Sequence, residues 1–288
     1  MASLYYRAIP GNFIIIGKQP DGDSVRFIAD EPERFDDLKR AYRIRPSRDG
    51  SVQLRFEAID TPEISFGTGQ PLGREARDQL LELIGFENIE FTGNQVEASD
   101  PEMVPGTILS QAAETNGRPV SYVLLAEDAE RFEDDWVRVD EALLRRTLNV
   151  RQLESGAAYY TVYTSTPKSH RQLFREVASE ARADNRGVWA EDTTAEFVLE
   201  DRDDIGPGGQ LILPKLFRRG TDYLKARDNG FRGNLTEWLV ENSQGSRNEN
   251  DRVVINDRME VSLSDLVLQR NRRVVFQADL LELTFVEK

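Results

Sequence analysis

Cysteine is absent from this sequence, and histidine occurs only once among its 288 residues. The lack of cysteine excludes disulfide bonds and metal sites built from thiolates. The only histidine, His170, lies just after the start of a predicted helix, and we interpret it as a solvated side chain. Catalysis by histidine is therefore excluded everywhere else in the chain.

Long hydrophobic runs are also missing. The run from Phe13 to Ile16 is far shorter than the roughly 20 residues that span a membrane, so it predicts a buried strand. The N-terminus shows no basic segment followed by a long apolar one, which is the pattern of a secretory signal peptide. We therefore expect a cytoplasmic protein without a membrane partner. A secreted mature form that begins at a new Met1 stays open.

Positive charge is the scarcer sign. The chain has 37 lysines and arginines against 51 aspartates and glutamates, which gives a net charge of −14. A protein with this balance is not expected to coat duplex DNA through the release of counterions. A local basic cleft stays compatible with it, because the field at a site depends on nearby charges rather than on the total.

The sequence does contain three short polar runs, which are Asp21-Gly22-Asp23, residues 55–63 and Gly117-Arg118. Carboxylates and carbonyls are the ligands of a hard cation. A carboxylate that is free of the cation can take a proton from water, and guanidinium groups suit phosphate oxygens. Together the runs provide the groups needed to cleave a phosphodiester. Taken singly, they are also typical of a turn, a helix start and a residue leaving a turn.

In this order the three runs resemble the staphylococcal nuclease-like (thermonuclease) family, and the likeness covers about residues 10–194 with long insertions. The resemblance implies that calcium is held by Asp23, Asp60 and the Thr61 carbonyl. It implies three catalytic residues, a general base and two phosphate-binding arginines, which are Glu63, Arg55 and Arg118. We expect Asp21 beside the metal, because alternation along a strand puts it on the same face as Asp23.

The function implied by this resemblance is a calcium-dependent, sugar-nonspecific nuclease. Such an enzyme hydrolyses DNA and RNA, prefers single strands and leaves 3′-phosphate ends. Tyr160 and Tyr163 fall near the family's base-stacking tyrosines, although packing in the core is an equal alternative. Thr115 and Asn116 stand where the family often has a Lys-Tyr pair. The alternative function is a non-catalytic OB-fold module that binds nucleic acid or protein.

The insertions at residues 29–51 and 126–135 leave open whether they regulate access to the site. Six carboxylates crowd the second of them. We interpret these carboxylates as a solvated acidic loop, with a second calcium site as the alternative. They are Glu127, Asp128, Glu130, Glu133, Asp134 and Asp135.

The periodicity of the chain predicts a mainly β fold with helices. Residues 1–194 are expected to form a five-stranded OB-fold barrel, with residues 52–59 as one continuous strand. A polar stretch at residues 192–208 then leads to a smaller α+β domain at residues 195–288. We expect this domain to be an accessory one that carries no site residue. A homodimer formed through it stays open.

Overall fold

The computed structural model describes residues 3–129, 132, 135–244 and 249–287. The strands in this part of the chain are β1 (Tyr5–Ile14), β2 (Arg26–Ala29), β3 (Val52–Gln53), β4 (Arg55–Phe56), β5 (Ile59–Asp60), β6 (Glu87–Thr92), β7 (Gln95–Asp100), β8 (Met103–Ala113), β9 (Pro119–Leu125), β10 (Trp136–Arg138), β11 (Tyr159–Tyr160), β12 (Glu196–Val198), β13 (Arg252–Ile255), β14 (Met259–Ser262), β15 (Val267–Arg270), β16 (Arg273–Phe276) and β17 (Leu283–Phe285). The α-helices are α1 (Gly73–Ile84), α2 (Glu141–Leu144), α3 (Leu148–Glu154), α4 (Lys168–Ala183), α5 (Val188–Glu191), α6 (Pro214–Asp228), α7 (Leu235–Glu241) and α8 (Leu263–Leu266). Three 3₁₀ helices cover Pro32–Asp37, Ala41–Arg43 and Leu280–Glu282.

The main sheet curls into a nearly closed barrel. Its hydrogen-bonded order is β3-β2-β1-β8-β9-β4, and β10 adds to the edge of β1. Because β3 and β4 follow one another directly, the two ends of this order meet. Backbone bonds from Leu54 N to Val25 O and from Phe56 N to Asp23 O, both 2.9 Å long, close the gap. The predicted fold class, a barrel with helices and a smaller α+β C-terminal part, is confirmed.

Two glycines let the barrel strands bend closely over the core. A Cβ atom on Gly11 would lie 2.1 Å from the Ile28 carbonyl oxygen, and one on Gly106 would lie 2.4 Å from the Phe13 ring. Both distances are far shorter than a van der Waals contact. These positions on β1 and β8 therefore need glycine for the strands to coil around the aromatic core.

The prediction of one continuous strand at residues 52–59 is wrong. The chain leaves the barrel at Glu57, and Ala58 takes a positive φ of 69°. Beyond this turn, Ile59 and Asp60 are both buried and pair with Tyr160 and Tyr159 instead of with a barrel strand. Alternation of apolar residues could not reveal the break, because residues on both sides of it are buried.

Two buried amide side chains on α3 hold the turn at Ala58 and the turn at Asp21–Asp23 in place. Asn149 accepts a hydrogen bond from Val123 N and donates to the carbonyls of Glu57 and Ser121, at 2.9–3.0 Å. Gln152, one helical turn later, donates to the carbonyl of Gly22 at 2.8 Å. Both side chains are fully buried. Helix α3 therefore positions two of the three polar runs.

The C-terminal part packs onto the barrel domain rather than standing apart from it. Phe285 on β17 donates its backbone N–H to Val162, and Thr164 donates its own to Phe285. One continuous group of buried side chains runs from β1 to β17. No helix within the described ranges is both long and apolar enough to cross a membrane.

The interpretation of His170 as a solvated residue is wrong. Its side chain is buried, with Nδ1 3.0 Å from the Tyr122 hydroxyl and Nε2 3.0 Å from the Val139 carbonyl. Burial lowers the pKa of His170, although the bond to Val139 opposes this shift. The residue therefore joins α4 to the barrel and is not part of a reactive site.

Replacing Asn149 tests the anchoring role of α3. Asn149→Ala removes one hydrogen bond from each of three buried backbone groups, so we expect it to lower the free energy of unfolding by about 3 kcal/mol. Glu154→Ala, on the exposed side of the same helix, should change it by less than about 0.5 kcal/mol. Denaturant unfolding measures both, and equal stabilities would contradict this role.

Candidate active site

The three polar runs meet on one cavity of about 670 Å³. Of the nine residues proposed from the sequence, eight line this cavity. They are Asp21, Asp23, Arg55, Asp60, Thr61, Glu63, Arg118 and Tyr163. The ninth, Tyr160, does not line it. Strands at one end of the barrel, the turn after β4 and the first turns of α6 form its walls.

The turn at Asp21-Gly22-Asp23 lies directly against the segment that follows β5. The Asp21 carboxylate accepts the Gly22 N–H at 2.8 Å, which tightens the turn. A Cβ atom on Gly22 would lie 2.7 Å from the Thr61 hydroxyl, so glycine is needed for this approach. The Thr61 hydroxyl is itself buried, and it has no hydrogen-bond partner among the described residues. The close approach gathers two proposed metal-binding segments, although they are far apart in sequence.

The aspartates of the cavity differ in their electrostatics. Burial raises the pKa of Asp23 to about 6, with Asp60 adding to the shift and Arg55 opposing it. Burial, followed by the charges of Asp23 and Glu63, raises the pKa of Asp21 well above its usual range. The pKa of Asp60 is lowered, because the neighbouring arginines outweigh its burial. Asp60 is therefore the carboxylate that the protein itself neutralises.

Arg55 and Arg118 approach the cavity from neighbouring strands. The parallel pairing of β4 with β9 places Arg55 opposite Val120, which shares a strand face with Arg118 two residues earlier. Arg55 Nη2 lies 3.9 Å from Asp60 Oδ1. Arg118 Nε donates to Glu114 Oε1 at 3.0 Å, which orients its guanidinium group. The sheet thus aims two guanidinium groups into one space.

Arg218, which the sequence did not single out, makes close contacts with two of the proposed site residues. Its Nη2 lies 2.6 Å from Asp60 Oδ2, and its Nη1 lies 3.3 Å from Asp60 Oδ1 and also pairs with Glu63. The guanidinium group therefore bridges the proposed metal ligand and the proposed base. Arg218 belongs to α6, which lies in the C-terminal part of the chain. The structure therefore differs from the expectation that this part contributes no residue to the site.

The spacing along α6 contains the signal that could have drawn attention to Arg218. Lys215, Arg218 and Arg219 occupy positions i, i+3 and i+4, which is one helix face, and all three line the cavity. Sequence periodicity gives that shared face but not the surface that it covers. Only the docking of α6 onto the barrel reveals the contact with Asp60.

Gln70 ties α6 to the segment that follows the proposed base. Its side chain accepts the Glu63 N–H at 3.1 Å and donates to the Ile212 carbonyl at 2.7 Å, just before α6 begins. Its backbone N–H also donates to the Glu63 carbonyl. This buried amide fixes the distance between Glu63 and α6, and so it supports the contact between Glu63 and Arg218.

The two tyrosines proposed for base stacking lie in different surroundings. Tyr160 is 2% exposed, so it has no ring face open to a base. Tyr163 lines the cavity, but its hydroxyl accepts a hydrogen bond from Lys215 at 3.2 Å, and its ring packs near Phe285. Packing in the core, the alternative interpretation, therefore describes Tyr160.

Glu57 is a second residue of the cavity that the sequence did not single out. Its carboxylate accepts a hydrogen bond from the Thr166 hydroxyl at 2.5 Å. Burial raises the pKa of Glu57 to about 7, and the Thr166 bond opposes that shift while Glu287 adds to it. The wall of the cavity therefore holds a carboxyl group that changes charge near neutral pH.

The donor chemistry of the cavity fits a hard cation such as calcium. Asp21, Asp23 and Asp60 bring carboxylate oxygens into the cavity, and burial and the charges of neighbouring carboxylates raise the pKa of the first two, which a cation would relieve. No group of three or more histidine, aspartate or glutamate side chains within the described residues is arranged to hold a metal ion. The ligand set expected from the sequence is smaller, with two carboxylates and one carbonyl. A cation that binds to Asp60 would lie next to the guanidinium group of Arg218, which already pairs with this carboxylate.

The two insertions lie at different places. Residues 29–51 border the cavity, with Arg40 in its wall. In the acidic insertion, Asp128 pairs with Arg151 and Asp135 pairs with Arg7. Glu130, Glu133 and Asp134 lie outside the described residues, so the choice between a solvated loop and a second calcium site stays open.

Comparison with known families gives one match. Residues 53–191 match the model of a family described as staphylococcal nuclease homologue. The match includes Arg55, Asp60, Glu63 and Arg118, and it leaves out the run at residues 21–23 and the C-terminal part. No curated protein matches the chain.

Glu57→Gln tests the electrostatics of the cavity wall. Because the folded pKa of about 7 exceeds the ordinary value of 4.5, the stability that Glu57 contributes is present at low pH and lost as pH rises through 7. Glutamine stays neutral, so the variant should be more stable than the wild type at pH 8, by up to about 3 kcal/mol, and similar to it at pH 4. Denaturant unfolding in a chelating buffer measures both. The same difference at both pH values would contradict the assignment.

Proposed function

We propose that this chain is a nuclease that hydrolyses phosphodiester bonds of DNA and RNA, since residues 53–191 match the model of the staphylococcal nuclease homologue family. The observation that carries the proposal is the convergence of Arg55, Glu63 and Arg118 on one cavity with three aspartates. A barrel needs none of these charges for its own packing, and buried charges cost free energy unless they are compensated.

The reaction we propose divides the work among three side chains. Arg55 and Arg118 bind the non-bridging oxygens of the phosphate and stabilise the negative charge that grows in the transition state. Glu63 takes a proton from the attacking water. Hydrolysis places the hydroxyl on phosphorus and a proton on the 5′ oxygen, so the phosphate stays on the 3′ side.

Calcium is the cofactor that we propose for this site. Asp23, Asp60 and the Thr61 carbonyl would hold it, and Asp21 would lie beside them. When bound, the ion supplies positive charge that polarises the phosphoryl group. Arg218 already neutralises Asp60 and contacts Glu63, so the protein controls how much of these carboxylates is available.

A preference for single strands is part of the proposal. A net charge of −14 disfavours the broad phosphate contacts that hold a duplex. An unpaired strand can instead enter a cavity with local arginines.

The bridge from Arg218 to Asp60 and Glu63 favours the rival function, which is a non-catalytic binding module. In that case the guanidinium group would keep both acids permanently occupied.

Replacement of the proposed base and of one arginine tests catalysis. Glu63→Gln should fold normally and lose at least about a hundredfold in turnover, because it keeps the shape and removes the proton acceptor. Arg55→Lys should lose a similar factor, because a point charge cannot replace a bidentate fork. The assay follows cleavage of single-stranded DNA with calcium and then with a chelator. Arg258→Gln, on the exposed β13–β14 turn, is the control and should match the wild type. Normal cleavage by both site variants would refute the mechanism.

Replacement of Arg218 tests whether it competes with the cation. Arg218→Gln removes the counter-ion of a buried carboxylate, so we expect calcium to bind roughly tenfold tighter and to raise the melting temperature more than in the wild type. Calorimetric titration with calcium and thermal unfolding measure both effects without reference to activity.

Arg202→Gln is the matched control for this titration. It removes an exposed arginine that pairs with Asp228 on the surface, and it should leave calcium affinity unchanged. Equal or weaker calcium binding by Arg218→Gln would show that Arg218 does not compete with the ion.

A further inference from the structure

The first insertion carries the densest positive charge of this acidic chain. Residues 39–48, which we call the basic segment, contain one lysine, four arginines and no carboxylate. They are Lys39, Arg40, Arg43, Arg45 and Arg48. The net charge of the whole chain is −14, so this concentration of one sign runs against its composition.

Most of these charges have no acidic partner. Arg40 lies 3.5 Å from Glu287. For Lys39, Arg43, Arg45 and Arg48, no ion pair with a carboxylate occurs in the described part of the chain, whereas arginines elsewhere in the protein commonly have one. A cluster of uncompensated cations is not needed for stability, since like charges repel one another. Its charge is therefore available to an anion.

The basic segment lies against the loop that carries Arg118. Arg43 Nη1 donates to the Thr115 carbonyl at 3.1 Å. A Cβ atom on Gly117 would lie 2.3 Å from the Arg43 carbonyl oxygen, so the two loops are in direct contact. Lys39 exchanges two backbone hydrogen bonds with β8, from the N–H of Lys39 to Gln111 and from Ala113 back to Lys39. The sheet therefore fixes this segment beside the cavity.

An exposed aromatic ring stands in the middle of the basic segment. Tyr42 is 69% exposed, the highest value among the large apolar and aromatic side chains that lie open to solvent in the described residues. Its hydroxyl accepts a hydrogen bond from Arg43 Nε at 3.3 Å, and its carbonyl accepts one from Arg45 at 2.5 Å. The Arg43 guanidinium carbon lies 5.7 Å from the centre of the ring. Arg43 thus contacts an aromatic ring that is largely open to solvent.

We propose that the basic segment binds the single-stranded nucleic acid that extends out of the catalytic cavity. Arg40 lies in the cavity wall, and the path continues from it to Tyr42, which stacks on an unpaired base. Arg43, Arg45 and Arg48 contact the backbone phosphates. This assignment rests on the proposed nuclease function. It names the part of the protein that binds the strand beyond the phosphodiester bond that is cleaved.

The chemistry of the segment favours a single strand over a duplex. A base can stack on an aromatic ring only when its face is open, which is the case in unpaired nucleic acid. A few cations around one ring suit a flexible strand, whereas a duplex presents phosphates over a surface that this acidic protein would largely repel. The polar residues at positions 115 and 116 offer no ring there, and Tyr42 supplies one from the adjoining loop.

Binding of a labelled oligothymidine of about twelve nucleotides tests the assignment, with Glu63→Gln in every protein so that the strand stays intact. Tyr42→Leu should weaken binding roughly tenfold, because base stacking on one ring accounts for that order of affinity. Tyr42→Phe keeps the ring and should bind like the parent. The double variant Arg45→Gln/Arg48→Gln should lower the slope of log affinity against log salt by about 1.4, since each phosphate contact on a single strand contributes about 0.7.

Arg258→Gln is the charge control, because Arg258 is exposed on the β13–β14 turn and has no ion pair with a described residue. It should leave affinity and salt slope unchanged. Equal affinity for Tyr42→Leu and Tyr42→Phe would overturn the stacking role. An unchanged salt slope in the double variant would overturn the phosphate contacts. Self-association that depends on Tyr42, measured by sedimentation, would also overturn the assignment in favour of a protein interface.

Cleavage by the chain with intact Glu63 separates this inference from the proposed function. If that chain cleaves single strands while Tyr42→Leu and the double arginine variant bind like their controls, the inference alone fails. If that chain neither binds nor cleaves a strand, the proposed function fails as well.

Discussion

The burial of the Asp60 carboxylate is the constraint on which the site depends. Asp60 is 1% exposed, and an isolated charge at such a depth costs several kcal/mol unless a cation compensates it. Arg55 reaches it only at 3.9 Å, whereas Arg218 contacts both of its oxygens. The C-terminal helix α6 is therefore part of the electrostatic balance of the barrel domain. Its docking places a third arginine in the cavity where we propose that substrate and cation bind.

A second set of interactions converts this balance into a defined geometry. Asn149 and Gln152 are uncharged, so they can satisfy buried carbonyls without adding to the repulsion among the aspartates. Gln70 does the same between Glu63 and the start of α6. Half-satisfied polar networks in a protein interior are costly, so each of these amides fixes the position of a loop. Asp21, Asp23 and Glu63 lie outside the regular strands and helices, and buried amides hold the segments that carry them in place.

The net charge of the whole chain and the local charge of the basic segment have opposite effects on the binding of nucleic acid. Over the whole chain, the negative excess weakens nonspecific attraction to nucleic acid. Within the basic segment, cationic side chains stand without carboxylates, and in the cavity arginines stand beside the carboxylates that a strand would meet at close range. A nuclease built in this way would discriminate by local geometry rather than by bulk affinity.

The sequence by itself determined the residue types of the site and the class of the fold. Asp21, Asp23, Asp60, Glu63, Arg55 and Arg118 could be named because each lies in a short run whose residue types and order are informative without coordinates. The strands of the barrel could be predicted because alternating burial leaves a periodic pattern. The expectation for His170 was wrong because a single polar residue on a helix carries no signal about the side on which it is buried.

Only the tertiary structure decided the break at Ala58, the burial of Tyr160 and the arrival of Arg218 at Asp60. Each of these depends on a contact between residues far apart in the chain, and local sequence patterns do not predict such contacts. Residues 60 and 218 are joined by an ion pair although a long stretch of sequence separates them. The same limit applies to Tyr42, which gains a functional interpretation only because the fold places its neighbour Arg43 against the loop that leads to Arg118. Local physics determines which groups are present, and long-range packing determines which of them meet.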